Sequence, residues 1–448
     1  MWRQYREPVS LSDRVAASLL RQLPPDVGAV AMRRGDCTVV AAEPSEVFVA
    51  EGAEALTGLD HLRPSFWAGF LAFELGHSVE RVTHSPSTGA SRESASVPDT
   101  VLARFDARAV IGPDGHIELQ RDANTWRTAG SAIERATRTM TSVRGARCAP
   151  LALVAGRSAG WRSSLTRDDY EARVREVLAL LEAGECYQVN LTRRLTSDHA
   201  LDPVSLYSAL VARHPAPHTA LLRLDVGGNR LAVVSASPER FLRRAGSNVE
   251  TRPIKGTAAT AAGLRASAKD RAENVMIVDL ARNDLGRVCV PGSIHVPMLC
   301  AVEAHPGLHH LVSTVRGTLR NDVGTAALVR ATFPPASVTG APKPRVLQAI
   351  EELEPVRRGV YCGALGWFDT ADHSADLAVA IRTFTMHGLA SDGCTHFGVG
   401  GGIVADSCPR AEWEETELKA ARLLAVASGD GRRSSTAAGS AAGALVAT

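Results

Sequence analysis

The sequence predicts an α+β fold with a sizeable buried core. Of its 448 residues, 45% are hydrophobic, which is enough for one large core or two medium ones. Runs with strand periodicity and runs with helical periodicity follow one another in irregular order, without an internal repeat. This irregular order argues against a doubly wound α/β fold, in which strands and helices alternate.

The bulk composition argues against several classes of protein. The 50 basic and 48 acidic residues leave a formal net charge of +2, so no strong field favours nucleic acid or a membrane surface as a partner. The eight cysteines form no CxxC pair, which argues against a zinc site or a disulfide framework. The sequence has no apolar run of about 20 residues, and its N-terminal residues lack an apolar signal core. We therefore expect a soluble, cytoplasmic protein.

The chain divides into a first part, a second part and a tail. We expect residues 1–150 to form an N-terminal domain that is interlaced with the core, and residues 429–448, rich in Gly, Ser and Ala, to be a disordered tail. The first part contains strand-like runs, a segment that turns from strand-like to helical, and a polar segment that is typical of an exposed loop (28–42 and 101–112; 118–140; 80–100).

Residues 165–427 form the second predicted domain, where the patterns are sharper. A helix begins after Thr166, whose hydroxyl can cap it, and ends at Gly184. In the first strand after this helix, apolar and polar residues alternate, with Val189 on one face and Gln188 on the other. We therefore expect this strand to be half-buried. The elements from this strand onward are predicted to be two strands, a helix, a helix–loop–helix unit, a strand pair, a strand broken by glycines and a final helix (186–195, 231–244, 270–286, 327–355, 362–385, 396–407 and 411–427).

Two residues near the middle of the chain are candidates for catalysis. Lys255 lies in the stretch TRPIKGT, and a lysine amine acts as a nucleophile or base only when its proton can be removed. Glu239 follows Pro238, which cannot donate to a strand ladder, so the strand should break there and direct Glu239 into a cleft. The alternative for Glu239 is a surface acid beside a turn.

Three glutamates on two predicted helices are candidates for a metal site. Glu273 shares a helix face with Ile277, and an acid on an apolar face is costly unless it is paired or bound to a metal. Glu412 and Glu415 are three residues apart on the last helix and are therefore neighbours. Oxygen ligands from two helices suit Mg²⁺, although acids in the first turns of a helix also complement its dipole.

Other residues have the chemistry to hold an anionic ligand. Gly400, Gly401 and Gly402 permit close approach of the backbone, whose N–H groups can bind a carboxylate; a β-bulge or a turn is the alternative. Arg382 lies inside an apolar strand pattern, where a buried guanidinium needs a carboxylate partner from the protein or from a ligand. His310 is a histidine of the core or of a loop.

Ten ordered motifs of the chain resemble the chorismate-utilising enzyme family. They are AGECYQVNLTRRL, SASPERFL, TRPIKGT, AKDRAENVMIVDLARNDLGRV, HHLVSTVRG, FPPASVTGAPK, YCGALGW, AIRTF, GGGIVADS and EWEET. The resemblance is dense over 165–427 and weaker at 66–81, where Ala68 stands in place of a glycine of the family. It implies a large sandwich of antiparallel sheets with flanking helices, in which 165–427 is the chorismate-binding catalytic domain.

Two positions distinguish the branches of this family, which include anthranilate, aminodeoxychorismate, isochorismate and salicylate synthases. Isochorismate and salicylate synthases carry a lysine that activates water at the position of Gln188, so this chain is not expected to use water as its nucleophile. Anthranilate synthases resemble PIAGT where this chain has PIKGT. Lys255 therefore favours the branch that aminates chorismate at C4, with anthranilate synthase component I and a catalytically silent subunit that binds an amidotransferase as alternatives.

The resemblance also implies a role for each candidate residue. Lys255 is the expected nucleophile at C2, and Glu239 the expected general acid for the departing hydroxyl. Mg²⁺ is the expected cofactor, on Glu273 and Glu415 with Glu412 acting through a water. The expected substrate contacts are His310, Ser337, Tyr361, Arg382 and Gly400–Gly402.

The resemblance implies partners as well. No cysteine of the chain has the surroundings of a glutaminase nucleophile, so ammonia is expected from a separate glutamine amidotransferase subunit. The expected product is 4-amino-4-deoxychorismate, which a separate lyase would convert to 4-aminobenzoate for folate synthesis.

Overall fold

The protein is described by a computed structural model over residues 10–82, 97–122, 131–142, 160–258, 260–305, 308–388 and 393–429. Most of the predicted loop at 80–100 and nearly all of the predicted tail at 429–448 lie outside these residues. None of the described helices is long and apolar enough to span a membrane. The described helices are α1 Leu11–Leu20, α2 Gly52–Thr57, α3 Leu75–Glu80, α4 Ala132–Ser142, α5 Arg167–Glu182, α6 Pro203–Arg213, α7 Ala261–Ala266, α8 Ala268–Gly286, α9 Thr325–Thr332, α10 Lys343–Leu353 and α11 Pro409–Ala427.

Two antiparallel sheets contain the described strands. Sheet A has the order β17-β9-β21-β20-β11-β10-β1-β2-β6-β7, with β8 paired to β9. Its strands are β1 Ala29–Arg34, β2 Cys37–Ala42, β6 Ala107–Ile111, β7 Ile117–Arg121, β8 Arg162–Ser163, β9 Gln188–Ser197, β10 His218–Val226, β11 Asn229–Ser237, β17 Gly340–Ala341, β20 Thr383–His387 and β21 Cys394–Ile403.

Sheet B has the order β14-β16-β13-β12-β19-β18-β4-β5-β3, with β15 paired to β16. Its strands are β3 Glu46–Ala50, β4 Phe66–Leu71, β5 Thr100–Arg104, β12 Arg240–Ala245, β13 Asn248–Arg252, β14 Ile254–Ala258, β15 His295–His305, β16 Leu308–Thr318, β18 Ala364–Asp369 and β19 Ser374–Val379. The α+β class and the predicted sandwich of antiparallel sheets are thus confirmed.

Apolar clusters hold the sheets and the helices together. One cluster joins the two sheets, with Val39 and Val233 of sheet A packed with Phe70 of sheet B. A second cluster packs α1, α6 and α11 on sheet A, and a third packs α3 and α10 between sheet B and strand β9 of sheet A. Truncating a fully buried side chain such as Phe70 costs roughly 3–5 kcal/mol, so these clusters supply the main stabilisation.

Both sheets mix strands from the first and second parts of the sequence. In sheet A, β1 pairs with β10, and in sheet B, β4 pairs with β18. The division at residue 150 stays a prediction.

The helix predicted after Thr166 is confirmed in detail. Thr166 caps α5 by accepting a hydrogen bond from the Asp169 backbone N–H at 3.2 Å, and the Asp169 side chain completes a capping box. Gly184 follows the helix with φ of +73°, a left-handed conformation that glycine adopts without strain.

Three of the predicted strands differ from the structure. Strand β9 is buried on both faces and is not half-buried: Glu354 and Arg358 bond to the backbone of Thr192 and Asn190, and the Gln188 amide lies against Gly402. Strand β21 runs unbroken through its glycines, in register with β9 from Thr395 to Ile403. The single strand expected at the end of 362–385 is two strands: β19 belongs to sheet B and β20 to sheet A, so the chain changes sheets between them.

Candidate functional site

The Lys255 amine lies against the glycines of β21. A Cβ built on Gly402 would be 3.2 Å from Lys255 Nζ and 3.0 Å from Gln188 Nε2. Any side chain at Gly402 would therefore displace the amine or the amide. Strand β14 presents Lys255 at this point, next to the end of β9 that carries Gln188.

The surroundings of Lys255 favour the neutral amine, which is the form that a nucleophile needs. Burial lowers the pKa of Lys255, while the carboxylates of Glu273, Glu239 and Glu415 act against this shift. Because a lysine reacts as its neutral amine, a depressed pKa increases the reactive fraction at neutral pH. The same electrostatic contacts show that β14, α8 and α11 bring residues from distant parts of the sequence to one place.

Glu239 lies where the strand breaks, as predicted from Pro238. Strand β11 ends at Ser237 and β12 begins at Arg240, and the Glu239 side chain is only 4% exposed. Burial raises the pKa of Glu239 to about 7. Hydrogen bonds from Ser337 and from the Ile254 backbone N–H oppose this shift, and so does the nearby charge of Lys255. A carboxyl with this pKa is half protonated near neutrality, so it can both give and take a proton. The alternative of a surface acid is wrong.

Glu412 and Glu415 approach β21 from helix α11. A Cβ on Gly401 would be 2.9 Å from Glu412 Oε2 and 4.0 Å from Glu415 Oε1, so the two carboxylates meet over this glycine. Burial raises the pKa of Glu412, although its Oε1 accepts a hydrogen bond from the Ser407 hydroxyl at 2.7 Å. Burial acts on Glu415 in the same direction, but the Lys419 ammonium at 2.6 Å holds its pKa below the ordinary value.

Glu273 and Glu415 both interact with Lys255. Burial raises the pKa of Glu273. The nearby charges of Lys255 and Lys269 oppose this shift, and the charge of Glu415 adds to it. The described residues contain no group of three His, Cys, Asp or Glu side chains already arranged to hold a metal ion. The donor set fits Mg²⁺ nevertheless, because this ion takes one or two carboxylates and fills its remaining positions with water and substrate oxygens. A cation would also relieve the repulsion between Glu415 and its two neighbours.

Arg382 lies between two strands and not inside one, which corrects the sequence prediction. It occupies the crossover from β19 to β20 with φ of +53°, the left-handed region that a non-glycine residue seldom adopts. Its Nη1 lies 3.5 Å from His214 Nε2. Burial lowers the pKa of Arg382 to about 10, Arg422 adds to this shift, and Glu239 opposes it. The guanidinium remains charged and has capacity for an anionic ligand.

The glycines of β21 leave one backbone edge open. Strand β20 pairs with Cys394–Phe397, while Gly398–Ile403 pair on their other side with β9. Among the described strands, none pairs with the second edge of Gly398–Ile403. The Gly400 carbonyl accepts a hydrogen bond from Lys419 Nζ at 2.8 Å, and Gly402 is partly exposed. The alternative of a β-bulge or a turn at Gly400–Gly402 is wrong, because the register with β9 is continuous.

The remaining predicted contacts surround the same strand. Tyr361 packs directly on Gly398, where an added Cβ would be 2.2 Å from its ring, and both residues line a cavity with Thr192 and Thr383. His310 Nδ1 lies 2.8 Å from Thr257 Oγ1, two residues from Lys255. Ser337 contacts Glu239, as noted above. The structure therefore brings every predicted site residue to the region around Lys255 and β21, and the role of each stays a prediction.

The sequence prediction missed a buried ion pair behind this site. Arg358 donates to Glu354 from Nε at 2.9 Å and from Nη2 at 2.6 Å, and Nη1 donates to the Val338 carbonyl at 2.9 Å. Glu354 accepts in turn from the Thr192 backbone N–H at 2.8 Å. The pair thus ties β9 to the turn that carries Ser337. Helical spacing could not have revealed it, because the predicted helix stops at Pro355 and Arg358 lies beyond it.

Comparisons with known proteins agree with this geometry. The model of the chorismate binding enzyme family matches residues 29–425. Aminodeoxychorismate synthase component 1 of Klebsiella aerogenes is 44% identical over 62% of this chain, and the chain spans 62% of that relative. Anthranilate synthase component 1 of Streptomyces coelicolor is 42% identical over 59% of this chain and 52% of its own length.

A solved structure shows the same architecture. Anthranilate synthase component I from Streptococcus pneumoniae TIGR4 superposes with a TM-score of 0.72 and 25% identity, covering 88% of this chain and 93% of the other. The similarity extends across both sheets, and the family match includes every candidate residue around Lys255 and β21. This chain belongs to the chorismate binding enzyme family.

Proposed function

We propose that the chain binds chorismate and aminates it at C4, as the chorismate-binding component of an aminodeoxychorismate synthase. The observation that carries this proposal is the position of Lys255, whose amine lies beside Gly402 and interacts with Glu239, with Glu273 of α8 and with Glu415 of α11. Relatives named aminodeoxychorismate synthase component 1 support it. The expected product is 4-amino-4-deoxychorismate.

The first half of the reaction uses Lys255 and Glu239. The neutral Lys255 amine forms a bond to C2 of chorismate, the two ring double bonds shift towards C4, and the C4–O bond breaks. Glu239 supplies the proton with which the hydroxyl leaves as water. A carboxyl with a pKa of about 7 suits this step, because it is still partly protonated at neutral pH.

The second half of the reaction uses ammonia. Ammonia forms a bond to C4, the double bonds return to their original positions, and the Lys255 amine leaves C2. The proton released from the new C4 ammonium returns to Glu239. Both groups therefore end in their starting states, and the net change is the exchange of a hydroxyl for an amine with release of water.

The acids of α8 and α11 supply the place for a cofactor. Glu273 and Glu415 would hold Mg²⁺, with Glu412 acting through a water. When bound, Mg²⁺ polarises the ring carboxylate of the substrate and accepts part of its charge. Arg382, Tyr361, His310, Ser337 and the open edge of Gly400–Gly402 would orient the remaining substrate oxygens.

We further propose that a glutamine amidotransferase subunit supplies the ammonia, in the cytoplasm. The relatives' names describe a first component, which supports a second one. A separate lyase would then release 4-aminobenzoate for folate synthesis.

A product assay tests the proposal. The purified protein, incubated with chorismate, Mg²⁺ and ammonium, should form aminodeoxychorismate, identified by mass spectrometry. Anthranilate as the main product would contradict the proposal. The absence of any turnover with ammonium would favour a silent, amidotransferase-binding subunit.

Anthranilate synthase component I is the second candidate, because a relative with that name is 42% identical over 59% of the chain. In that case Lys255 would be a bystander. The two candidates differ in their by-product: the second releases pyruvate without an added lyase, which a lactate dehydrogenase-coupled assay detects.

A further inference from the structure

We propose that Gln188 is a positioning residue that aligns the Lys255 amine with C2 of the substrate; this proposal rests on the function proposed above. In the complex, the amide oxygen of Gln188 accepts a hydrogen bond from the amine. The amide N–H groups donate to a substrate oxygen on C1 or C3, the two ring carbons that are bonded to C2. One side chain then holds the nucleophile and the substrate in a fixed relation.

The amide of Gln188 is buried without a hydrogen bond. Its side chain is 0% exposed, and among the residues that the structure describes neither Oε1 nor Nε2 has a hydrogen-bond partner. Buried polar side chains are nearly always bonded, because an unbonded amide loses its hydration without compensation. The amide offers one acceptor oxygen and two N–H donors. Such a group beside the expected nucleophile points to partners on the nucleophile and on the substrate.

Strand pairing holds this amide against β21. Gln188 is in register with Ala341 of β17, and the next residue, Val189, is in register with Ile403 of β21. A Cβ built on Gly402 would be 3.0 Å from Gln188 Nε2 and 3.2 Å from Gln188 Cδ. The backbone of Gln188 is therefore fixed, and its amide packs directly on a glycine of the site.

The Lys255 amine faces the same space over Gly402. The Cβ that would meet the amide would also be 3.2 Å from Lys255 Nζ. A lysine amine ends a flexible four-carbon chain, so its lone pair needs a fixed partner to be directed at one carbon. A carboxylate in this role would favour the ammonium form, which has no lone pair. An amide oxygen accepts an N–H without adding negative charge, and it leaves the lone pair free.

The N–H donors of the amide fit the substituents around C2. The carboxylate on C1 and the ether oxygen on C3 carry no hydrogen, so both are acceptors and need donors. The amide is rigid and planar, with its oxygen and its nitrogen on the same carbon. An amide that bonds to the amine through its oxygen and to the substrate through its nitrogen therefore sets the distance between Lys255 Nζ and C2. This alignment accelerates the formation of the bond.

Replacing Gln188 by methionine tests the alignment. Gln188→Met keeps the length of the side chain but has neither the amide donors nor the acceptor. We expect the rate of adduct formation, from single turnovers quenched with acid and read by intact mass, to fall at least tenfold. The Kd for chorismate by calorimetry should change less than threefold. The midpoint of urea unfolding should stay at or above the parental one, because the variant no longer buries an unbonded amide. A role in packing alone would instead lower the midpoint.

Ser197 provides a matched control on the same strand. It lies at the opposite end of β9 from Gln188, and its hydroxyl is likewise buried without a partner among the described residues. Ser197→Ala should also keep the urea midpoint at or above the parental one. Because Ser197 is remote from Lys255, its variant should form the adduct at the parental rate.

The outcomes separate this inference from the proposed function. If the parent protein aminates C4 and Gln188→Met forms the adduct at the parental rate, Gln188 does not align Lys255. A lower urea midpoint together with a slower rate would also overturn the inference, because the loss would then follow from packing. If the parent protein forms no C4-aminated product, the proposed function fails and this inference fails with it. Should Gln188→Met fold poorly by circular dichroism, Gln188→Leu makes the same comparison, and a parental adduct rate or a second failure to fold would overturn the inference.

Discussion

At the residue scale, the site consists of ionisable groups that control one another's charge. Burial lowers the pKa of Lys255 and raises the pKa values of Glu239, Glu273 and Glu412, so each group is shifted towards its neutral form. Glu415 is the exception because Lys419 keeps it ionised. A neutral amine and a protonated acid are the states that nucleophilic attack and acid catalysis require.

Replacing Lys255 separates covalent chemistry from binding. We expect Lys255→Ala to abolish a chorismate adduct trapped after acid quench and detected by intact mass, because the variant lacks the amine. Chorismate affinity by calorimetry should stay within about tenfold, since Arg382 and the acids of α8 and α11 remain. The conservative Lys255→Arg variant should also form no adduct. An adduct of equal yield in Lys255→Ala would refute the nucleophile role.

Glu239 makes stability depend on pH in a defined direction. Its pKa is about 7 in the folded protein against 4.5 for an ordinary glutamate, so the folded state holds its proton more tightly than the unfolded chain does. The ionised Glu239 carboxylate therefore lowers the free energy of unfolding. This effect is absent below pH 4.5, grows as the pH rises to 7, and is constant above pH 7. Over these 2.5 units it amounts to roughly 3 kcal/mol.

Glu239→Gln removes this ionisation and tests the shift. The stability advantage of the variant over the parent, from urea unfolding, should be about 3 kcal/mol larger at pH 8 than at pH 4. Titrating groups that do not interact with Glu239 cancel in this difference. Glu414→Gln, on the exposed side of α11, is the control and should show little change with pH. A pH-independent advantage would mean that Glu239 titrates normally.

At the element scale, crossovers between the sheets were the hardest features to predict. The run ADLAVAIRTFT has an unbroken apolar pattern, yet its chain leaves sheet B and enters sheet A at Arg382. The run VLARFDARAVIG behaves in the same way, with β5 in sheet B and β6 in sheet A. Periodicity reports which residues are buried but not in which sheet they lie, so it cannot reveal a crossover.

The candidate site shows a similar division between what the sequence predicts and what it does not. Residue types and ordered motifs identified Lys255, Glu239 and the acids. Their proximity could not be predicted from spacing, because α8 and α11 are separated by more than a hundred residues, and Glu273 and Glu415 approach each other only in the folded protein. The approach of Gly401 to Glu412 likewise depends on how α11 packs on sheet A.

The buried pair Glu354–Arg358 should position the elements around the substrate. Arg358→Met leaves the Glu354 carboxylate buried without its cation and should cost about 3–5 kcal/mol in urea unfolding, with a raised KM for chorismate. Arg358→Lys should restore only part of the lost stability and of the parental KM for chorismate, because an ammonium cannot reproduce the forked hydrogen bonds of the guanidinium. The double variant Glu354→Gln, Arg358→Met should be more stable than Arg358→Met.

An exposed pair with the same spacing provides the control. Arg410 and Glu414 are 2.8 Å apart, but their side chains are 72% and 57% exposed. Arg410→Met should therefore reduce the free energy of unfolding far less than Arg358→Met does and leave KM for chorismate unchanged. Equal losses for the two arginines would mean that Arg358 has no special structural role.

At the scale of the whole molecule, strands from the first part of the sequence lie inside both sheets. In sheet A, β1 is between β10 and β2, and in sheet B, β4 is between β18 and β5. The cluster between the sheets contains residues from both parts, including Val30, Phe70, Leu222 and Val233. The catalytic domain predicted for residues 165–427 therefore shares its sheets and its core with the N-terminal residues.

Expressing the second part alone tests whether it is an independent domain. A fragment of residues 160–429 would expose the edges of β10 and β18 and lose half of the cluster between the sheets. Since unpaired edges and an open core both favour aggregation, we expect no cooperative thermal transition from the fragment and no chorismate binding by calorimetry. The full chain should melt in one transition. A fragment that unfolds cooperatively and binds chorismate would show instead that the boundary near residue 150 separates two domains, and that the N-terminal strands only extend sheets that are already stable.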